Sequence, residues 1–306
     1  MSPFLQHIEV KHQDKTTVLS YEVYGQKLHA APIVLVNHAL TGNSTVCGEN
    51  GWWQDLIGEN KAIDSNKYTI LSFNIPGNGY GNELIEDYKS INVKKVAQLF
   101  LLGVKALKIE QLFAIIGGSL GGGISWQMAI LLPEITTHLI PVATHYESSD
   151  WIIANCLIQE QLLLNSSQPI HDARLHAMLC YRTPESFKSR FNRTKHEELK
   201  RFNVETWLLH HGKMLQERFQ TSAYKVMNHL LRTIEVDNLE AIQAQITLIS
   251  VDTDLFFTAQ DIKDSYKKLQ QLNKKVSYHE IKSIHGHDAF LIAYEQLKNS
   301  IAPIFN

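Results

Sequence analysis

Leu112-Phe113-Ala114-Ile115-Ile116-Gly117-Gly118-Ser119-Leu120-Gly121-Gly122-Gly123 is the most informative stretch of this chain. It opens with a short apolar run rich in β-branched residues, of the length a buried strand needs. It closes on a helical pattern, Gly123 to Leu132, that Pro133 stops. Between them Gly117-Gly118-Ser119-Leu120-Gly121 matches G-x-S-x-G, and a strand–turn–helix setting is what gives that pattern meaning. The turn is so tight that only small neighbours fit beside the serine, and it lifts the hydroxyl above the sheet at a helix N-terminus. Gly122 and Gly123 extend the freedom. No Lys-Ser/Thr follows, so a phosphate-binding P-loop is excluded.

The same rhythm continues on both sides. Ile33 to Val36, Tyr68 to Phe73, Leu139 to Ala143 and Ile246 to Val251 are further short apolar runs bounded by turn residues. Helical patterns separate several of them, at Ile91 to Ala106 and Asp261 to Leu272. Alternating strand and helix predicts an α/β fold with a mostly parallel sheet flanked by helices. Ile8 to Tyr24 reads as strands at an antiparallel edge. The rhythm breaks between 146 and 238, where apolar residues recur at helical spacing, as in Leu208, Met214, Leu215 and Phe219. This segment is expected to be a helical lid inserted into a core made of 1–145 and 239–306. Leu162 to Pro169 reads as a loop within it.

The chain has 306 residues and a formal net charge of -2, with 44% apolar and 20% charged residues. That composition is globular and excludes a disordered or fibrous chain. No basic face suggests nucleic acid, and no apolar stretch approaches the ~20 residues a bilayer requires. The N-terminus has neither the basic nor the apolar region of a signal peptide. Cys47, Cys156 and Cys180 are odd in number, widely spaced and without metal-ligand spacing, as free thiols in a reducing compartment would be. No metal is expected, and the reading is of a cytoplasmic protein.

A serine hydroxyl becomes a nucleophile only when a base takes its proton. Ser119 therefore needs a histidine held by a carboxylate, in the chain order Ser, Asp/Glu, His. Two loops downstream supply candidates: Asp252 or Asp254 after one strand, His285 or His287 after another. Spacing alone does not choose within either pair. The oxyanion hole should use the N–H of Leu120 and one from His38-Ala39-Leu40-Thr41-Gly42, the loop after an early strand. Leu40 is the expected donor there.

Further short motifs span most of the chain. They include Gly51-Trp52-Trp53, Tyr181-Arg182-Thr183, His211-Gly212-Lys213, Asp252-Thr253-Asp254-Leu255-Phe256 and Gly286-His287-Asp288-Ala289-Phe290. Together with the elbow and the His38–Gly42 loop, they resemble the homoserine O-acetyltransferases of the α/β-hydrolase fold. The resemblance implies Asp254 and His287 as the partners of Ser119. It implies Asp288 as the group that holds the homoserine amine, and Arg174 with Tyr181 as contacts of its carboxylate. Arg174 and Tyr181 are two helical turns apart, so they share a face. An alternative for Asp288 is to cap a last helix, Ala289 to Lys298. The resemblance further implies acetyl-CoA as co-substrate, no permanently bound cofactor, L-homoserine as acceptor and a place in methionine biosynthesis; the residues themselves leave open a succinyl donor, serine as acceptor, or a carboxylic-ester hydrolase with the same triad. It also implies a homodimer through the lid, for which Trp207, Leu208 and Leu209 are candidates. The chain departs from the family where Asn78-Gly79-Tyr80-Gly81-Asn82-Glu83 replaces the usual Gly-Ser-Thr-Gly-Pro.

Overall fold

The computed structural model describes residues 4–81 and 83–305; Asn82, in the departing stretch above, lies outside them. Eight strands form one sheet: β1 (Gln6–His12), β2 (Lys15–Gly25), β3 (Ile33–Asn37), β4 (Thr69–Phe73), β5 (Leu112–Gly118), β6 (Thr136–Val142), β7 (Gln245–Val251) and β8 (Val276–Ile281). Their spatial order is β1-β2-β4-β3-β5-β6-β7-β8. β1 and β2 form an antiparallel hairpin, β2 runs antiparallel to β4, and every pairing from β4 onward is parallel. All five residues of β3 and of β4 are buried. Strands covered on both faces read as unbroken apolar runs rather than alternating ones.

Two cores lie on the two faces of the sheet. One packs α1 (Val93–Ala106), α2 (Leu120–Leu131) and α8 (Ala259–Gln271) against Leu35, Leu71, Phe73 and Ile115. The other packs α9 (Tyr294–Phe305) and the Trp53–Ile63 loop against Val36, Ile70, Ile116 and Val251. Trp53 in that loop is fully buried and stacks on Trp52. Because α2 lies between the sheet and the lid, ten of its residues are buried. It begins at Leu120, three residues earlier than the pattern predicts.

The segment between β6 and β7 folds as five helices: α3 (Asp150–Asn165), α4 (Pro169–Tyr181), α5 (Pro184–Phe191), α6 (Asn203–Arg218) and α7 (Thr221–Arg232). Pro169 and Pro184 sit in first turns, where a missing N–H costs nothing. Thr183 caps α5 by accepting from the Ser186 N–H at 3.0 Å. Within the lid, Asn228 Nδ2 of α7 donates to the Cys156 carbonyl of α3 at 2.9 Å and joins the two helices.

Two expectations need correction. The loop expected over Leu162 to Pro169 is only Ser166 to Gln168: α3 runs on to Asn165, Ser166 N–H still donates to the Leu162 carbonyl, and α4 starts at Pro169. Asn165 Nδ2 turns back onto the Gln161 carbonyl at 2.9 Å, so this polar residue finishes the helix rather than breaking it. Ala289 to Lys298 is not one helix either. Gly286–Leu291 form a 3₁₀ turn that ends at Ile292, and α9 starts afresh at Tyr294.

Candidate active site

Ser119 stands between β5 and α2 with φ 53° and ψ −123°. A non-glycine residue at positive φ is strained, and such strain persists only where the surroundings enforce it. The enforcement comes from close packing of backbone on backbone. A Cβ on Gly121 would lie 2.1 Å from the Asn37 carbonyl oxygen, so no larger residue lets α2 approach β3 this closely. Ser119 N–H donates to the Val142 carbonyl at 2.9 Å, which fixes the turn to β6.

The chain brings one carboxylate and one imidazole to this hydroxyl. His287 Nε2 lies 3.0 Å from Ser119 Oγ, and His287 Nδ1 lies 2.7 Å from Asp254 Oδ2. The other oxygen, Asp254 Oδ1, accepts the N–H groups of Phe256 and Phe257 at 2.7 and 3.0 Å. Asp254 and His287 are buried, and Tyr181, Phe256, Phe257 and Phe290 surround the imidazole at centroid distances of 5.2 to 5.8 Å. A carboxylate at Nδ1 selects the tautomer whose Nε2 accepts a proton. The rival pair points elsewhere. Asp252 Oδ1 accepts from Ser283 N–H at 3.0 Å, and His285 Nδ1 faces Ser186 Oγ at 3.0 Å and Arg182 Nη1 at 3.3 Å.

Leu40 and Leu120 are both buried, and neither backbone N–H meets a protein acceptor among the described residues. Buried donors left unpaired are rare. The Leu120 N–H is also at the first turn of α2, where the helix dipole favours negative charge.

His38, which the sequence reading placed only as part of this loop, determines how the Leu40 amide is aimed. His38 Nε2 accepts from Ile75 N–H at 3.0 Å, which leaves Nδ1–H to donate to the Ala39 carbonyl at 2.8 Å. That carbonyl and the Leu40 N–H belong to one planar peptide and point opposite ways. Fixing the first therefore fixes the second. Farther along the loop, Ser44 Oγ and Thr45 Oγ1 donate to the buried Glu22 carboxylate at 2.5 and 2.9 Å.

Burial pushes the His38 imidazole from 6.5 down to about 4. The folded chain thus resists a proton that the unfolded chain accepts. Stability is full above the ordinary histidine range and falls as pH drops from 6.5 towards about 4, by about 1 kcal/mol per pH unit from this group. Denaturant titrations at several pH values should show that slope, and His38→Gln should flatten it. An unchanged slope in the variant removes His38 as its origin.

Arg174 and Tyr181 do share a face of α4. Burial foremost pushes the Tyr181 phenol well above its usual range, Arg174 pulls it down and Asp288 pushes it up. Both charges therefore act on this one side chain, whose ring stands 5.3 Å from His287. Arg174 is half-buried and has no ion-pair partner among the described residues. Asp288 is different: Arg182 Nε donates to its Oδ2 at 2.7 Å, with both side chains about 15% exposed. It does not cap α9, which begins six residues later. Arg182 is a charged member of the site that spacing does not reveal, since 106 residues separate it from its partner. Trp207 turns inward onto Phe187, Phe191 and His211, so it is not a free surface residue. Among the described residues no group of three or more His, Cys, Asp or Glu is placed to hold a metal ion.

The model of the alpha/beta hydrolase fold family matches residues 32–293. The chain is 30% identical to a homoserine O-acetyltransferase of Cyclobacterium marinum, over 92% of this chain and 87% of that one. It is 29% identical to a homoserine O-acetyltransferase of Haemophilus influenzae, over 97% and 92%. Among solved structures, a homoserine O-acetyltransferase from Bacillus anthracis superposes with TM-score 0.85 at 20% identity, over 99% of this chain and 96% of that one. Esterase E22 superposes with TM-score 0.86 at 16% identity, over 99% of each. At those identities the structural likeness speaks for the fold, while the sequence likeness along nearly the whole chain speaks for the family. The chain belongs to the homoserine O-acetyltransferase family, within the α/β hydrolase fold.

Proposed function

We propose that this protein moves an acetyl group from acetyl-CoA to the side-chain hydroxyl of L-homoserine, by way of an acyl-enzyme on Ser119, in the methionine pathway. His287 takes the proton of Ser119 as Oγ attacks the thioester carbonyl, and Asp254 stabilises the imidazolium that forms. The Leu40 and Leu120 N–H groups receive the negative charge on the carbonyl oxygen. The intermediate collapses by breaking the carbon–sulfur bond, and the thiolate leaves with the proton from His287. Homoserine then enters with its carboxylate on Arg174 and Tyr181 and its ammonium on Asp288. His287 takes the proton of the substrate hydroxyl, the new ester forms, and Ser119 recovers its proton. No resident cofactor takes part; acetyl-CoA is consumed as a substrate. Two half-reactions through one covalent intermediate give ping-pong kinetics.

One observation supports the acceptor assignment: the unpaired Arg174 and Asp288, the neighbour of the base His287, both act electrostatically on Tyr181, whose ring stands 5.3 Å from that base. Such a pair suits a small zwitterion. Asp288 already holds Arg182, so it meets the ammonium as a shared acceptor with its charge partly offset. The five-helix lid suits transfer over hydrolysis, because an acyl-enzyme open to water loses its acyl group to water.

The test is the release of CoA from acetyl-CoA with and without homoserine. Release that depends on homoserine is expected; equal release without it means ester hydrolysis instead. Arg174→Ala should raise the KM for homoserine by about 10- to 100-fold, the loss of a charge-assisted contact, and leave the KM for acetyl-CoA near its original value. An equal rise in both would remove Arg174 from the acceptor site.

We further propose that the enzyme is a homodimer through the lid, working in the cytoplasm, where its three free cysteines stay reduced. The surface that suits pairing is the outer face of α3, where Trp151, Leu157, Ile158 and Leu164 are each about half exposed. Sedimentation equilibrium should give twice the chain mass; a monomer at micromolar concentration overturns the pairing.

A further inference from the structure

The segment from Arg182 to Phe202 carries seven Lys and Arg residues against three Glu, in a chain whose net charge is -2. Elsewhere on the surface cations such as Lys263 and Lys282 meet carboxylates, but Arg190 and Arg193 form no ion pair among the described residues. Both are exposed, and aromatic rings hold them instead. The Arg190 guanidinium lies 5.5 Å from the Trp207 ring centre and 5.6 Å from that of Phe191, and the Arg193 guanidinium lies 5.5 Å from that of Phe202. A guanidinium resting on a ring keeps its N–H fork free at the edge, ready for an oxyanion.

This ridge is continuous with the active site. Arg182 pairs with Asp288, the neighbour of His287, and its guanidinium lies 5.8 Å from the same Trp207 ring. Arg182, Ser186, Phe187, Arg190, Phe191 and Trp207 line a small cleft there. The positive potential converges nearby: burial foremost, then Arg174, Arg182 and Arg190 among its neighbours, push the His211 imidazole down to about 4. Arg182, paired with the neighbour of His287, thus shares the Trp207 ring with Arg190, and Arg193 follows three residues later in the chain.

We propose that Arg190 and Arg193, with the Trp207 cleft, bind the phosphate-bearing nucleotide end of a coenzyme A thioester. The inference rests on the reading of this protein as an acyltransferase using such a donor, and adds to it where the donor is gripped. A CoA donor carries a diphosphate and a 3′-phosphate, separated from its reacting carbonyl by the long pantetheine arm. Its anion site therefore belongs at a remove from Ser119, along a path that leads to it. Arg190 shares the Trp207 ring with Arg182, which pairs with the neighbour of His287, so it stands off from the triad yet is linked to it, and guanidinium forks match phosphate geometry.

Calorimetric binding of CoA itself tests this without any reaction. Adenosine 3′,5′-bisphosphate and pantetheine serve as the separate halves, and inorganic phosphate as the control for a general anion. The bisphosphate should bind and compete with CoA. R190A/R193A should weaken CoA and bisphosphate binding by about tenfold or more with pantetheine unaffected, and R190K should lose part of that because it keeps charge without the fork. Kinetically, the preference for acetyl-CoA over acetyl-pantetheine, as a ratio of kcat/KM, should fall by the same factor. Unchanged CoA binding in the double variant overturns the proposal, as does inorganic phosphate competing as well as the bisphosphate. CoA binding that depends on these arginines, with no acetyl transfer, sinks the acyltransferase reading and leaves the site standing. Transfer indifferent to them does the reverse.

Discussion

Ser119→Ala is expected to lower acetyl transfer by roughly 10⁴- to 10⁶-fold, the range seen when a serine nucleophile is removed from an intact constellation. The substitution takes away only Oγ. The 2.9 Å bond from the Ser119 N–H to Val142 is a backbone contact and stays, and alanine meets the same positive φ that serine already tolerates. The fold should therefore survive, with a melting temperature within a few degrees of the parent. What goes is the covalent intermediate. Given acetyl-CoA without acceptor, the parent should gain the mass of one acetyl group in an intact-mass spectrum, and the variant should not. The Leu40 and Leu120 amides remain in the variant, so a residual rate above that in water is expected. A variant with more than a tenth of the parent's activity, or a parent that never gains the acetyl mass, would falsify the serine mechanism.

What could be read from the sequence here was local, and what could not be read was long-range. The elbow was legible because its cause is steric and spans five residues: β5 ends, the chain turns where only small residues fit, and α2 begins. The parallel strands were legible because burial on both faces leaves runs such as Ile33–Val36. The end of α3 is hidden from the pattern because the helix buries Asn155, Gln159 and Glu160 while exposing Leu157, Ile158 and Leu164, so periodicity marks no apolar face to follow as far as Asn165. The break at Ile292 leaves no mark in the sequence because Ala289 to Lys298 has a helical composition. Only the three-dimensional path, with Ala293 N–H donating to the Ala289 carbonyl at 2.7 Å before α9 starts, makes it two elements. Within the site, the sequence limited each partner of Ser119 to two residues two positions apart, and the choice came from a family resemblance. Which member of each pair faces the serine depends on how β7 and β8 deliver their loops. Arg182 and His38 were not legible as working parts at all. One acts across 106 residues, and the other acts through the tautomer of a single ring.

Asp254→Asn should cost about 10⁴-fold in kcat with little change in stability, while Asp252→Asn should stay within a fewfold of the parent. The contrast follows from which atoms each carboxylate uses. Asp254 spends Oδ1 on the Phe256 and Phe257 N–H groups, and an asparagine can keep both by presenting its carbonyl oxygen there. Its amide nitrogen then faces His287 Nδ1, 2.7 Å away, and it is a donor where the parent has an acceptor. The imidazole must answer by moving its proton to Nε2, which turns the ring into a donor towards Ser119 and leaves the nucleophile without a base. Asp252 is a different case. Its Oδ1 receives the Ser283 N–H at 3.0 Å, and the asparagine carbonyl serves equally well; only the loose contact with Lys282 at 3.7 Å is lost. That exposed pair is worth little. The two substitutions thus remove the same charge two residues apart, and pre-steady-state acylation by acetyl-CoA separates them. The Asp254 variant should lose its burst of CoA release and the Asp252 variant should keep it. If both variants fell together, net charge near the site would explain the loss; if Asp252→Asn alone fell, the base would be held from the other side.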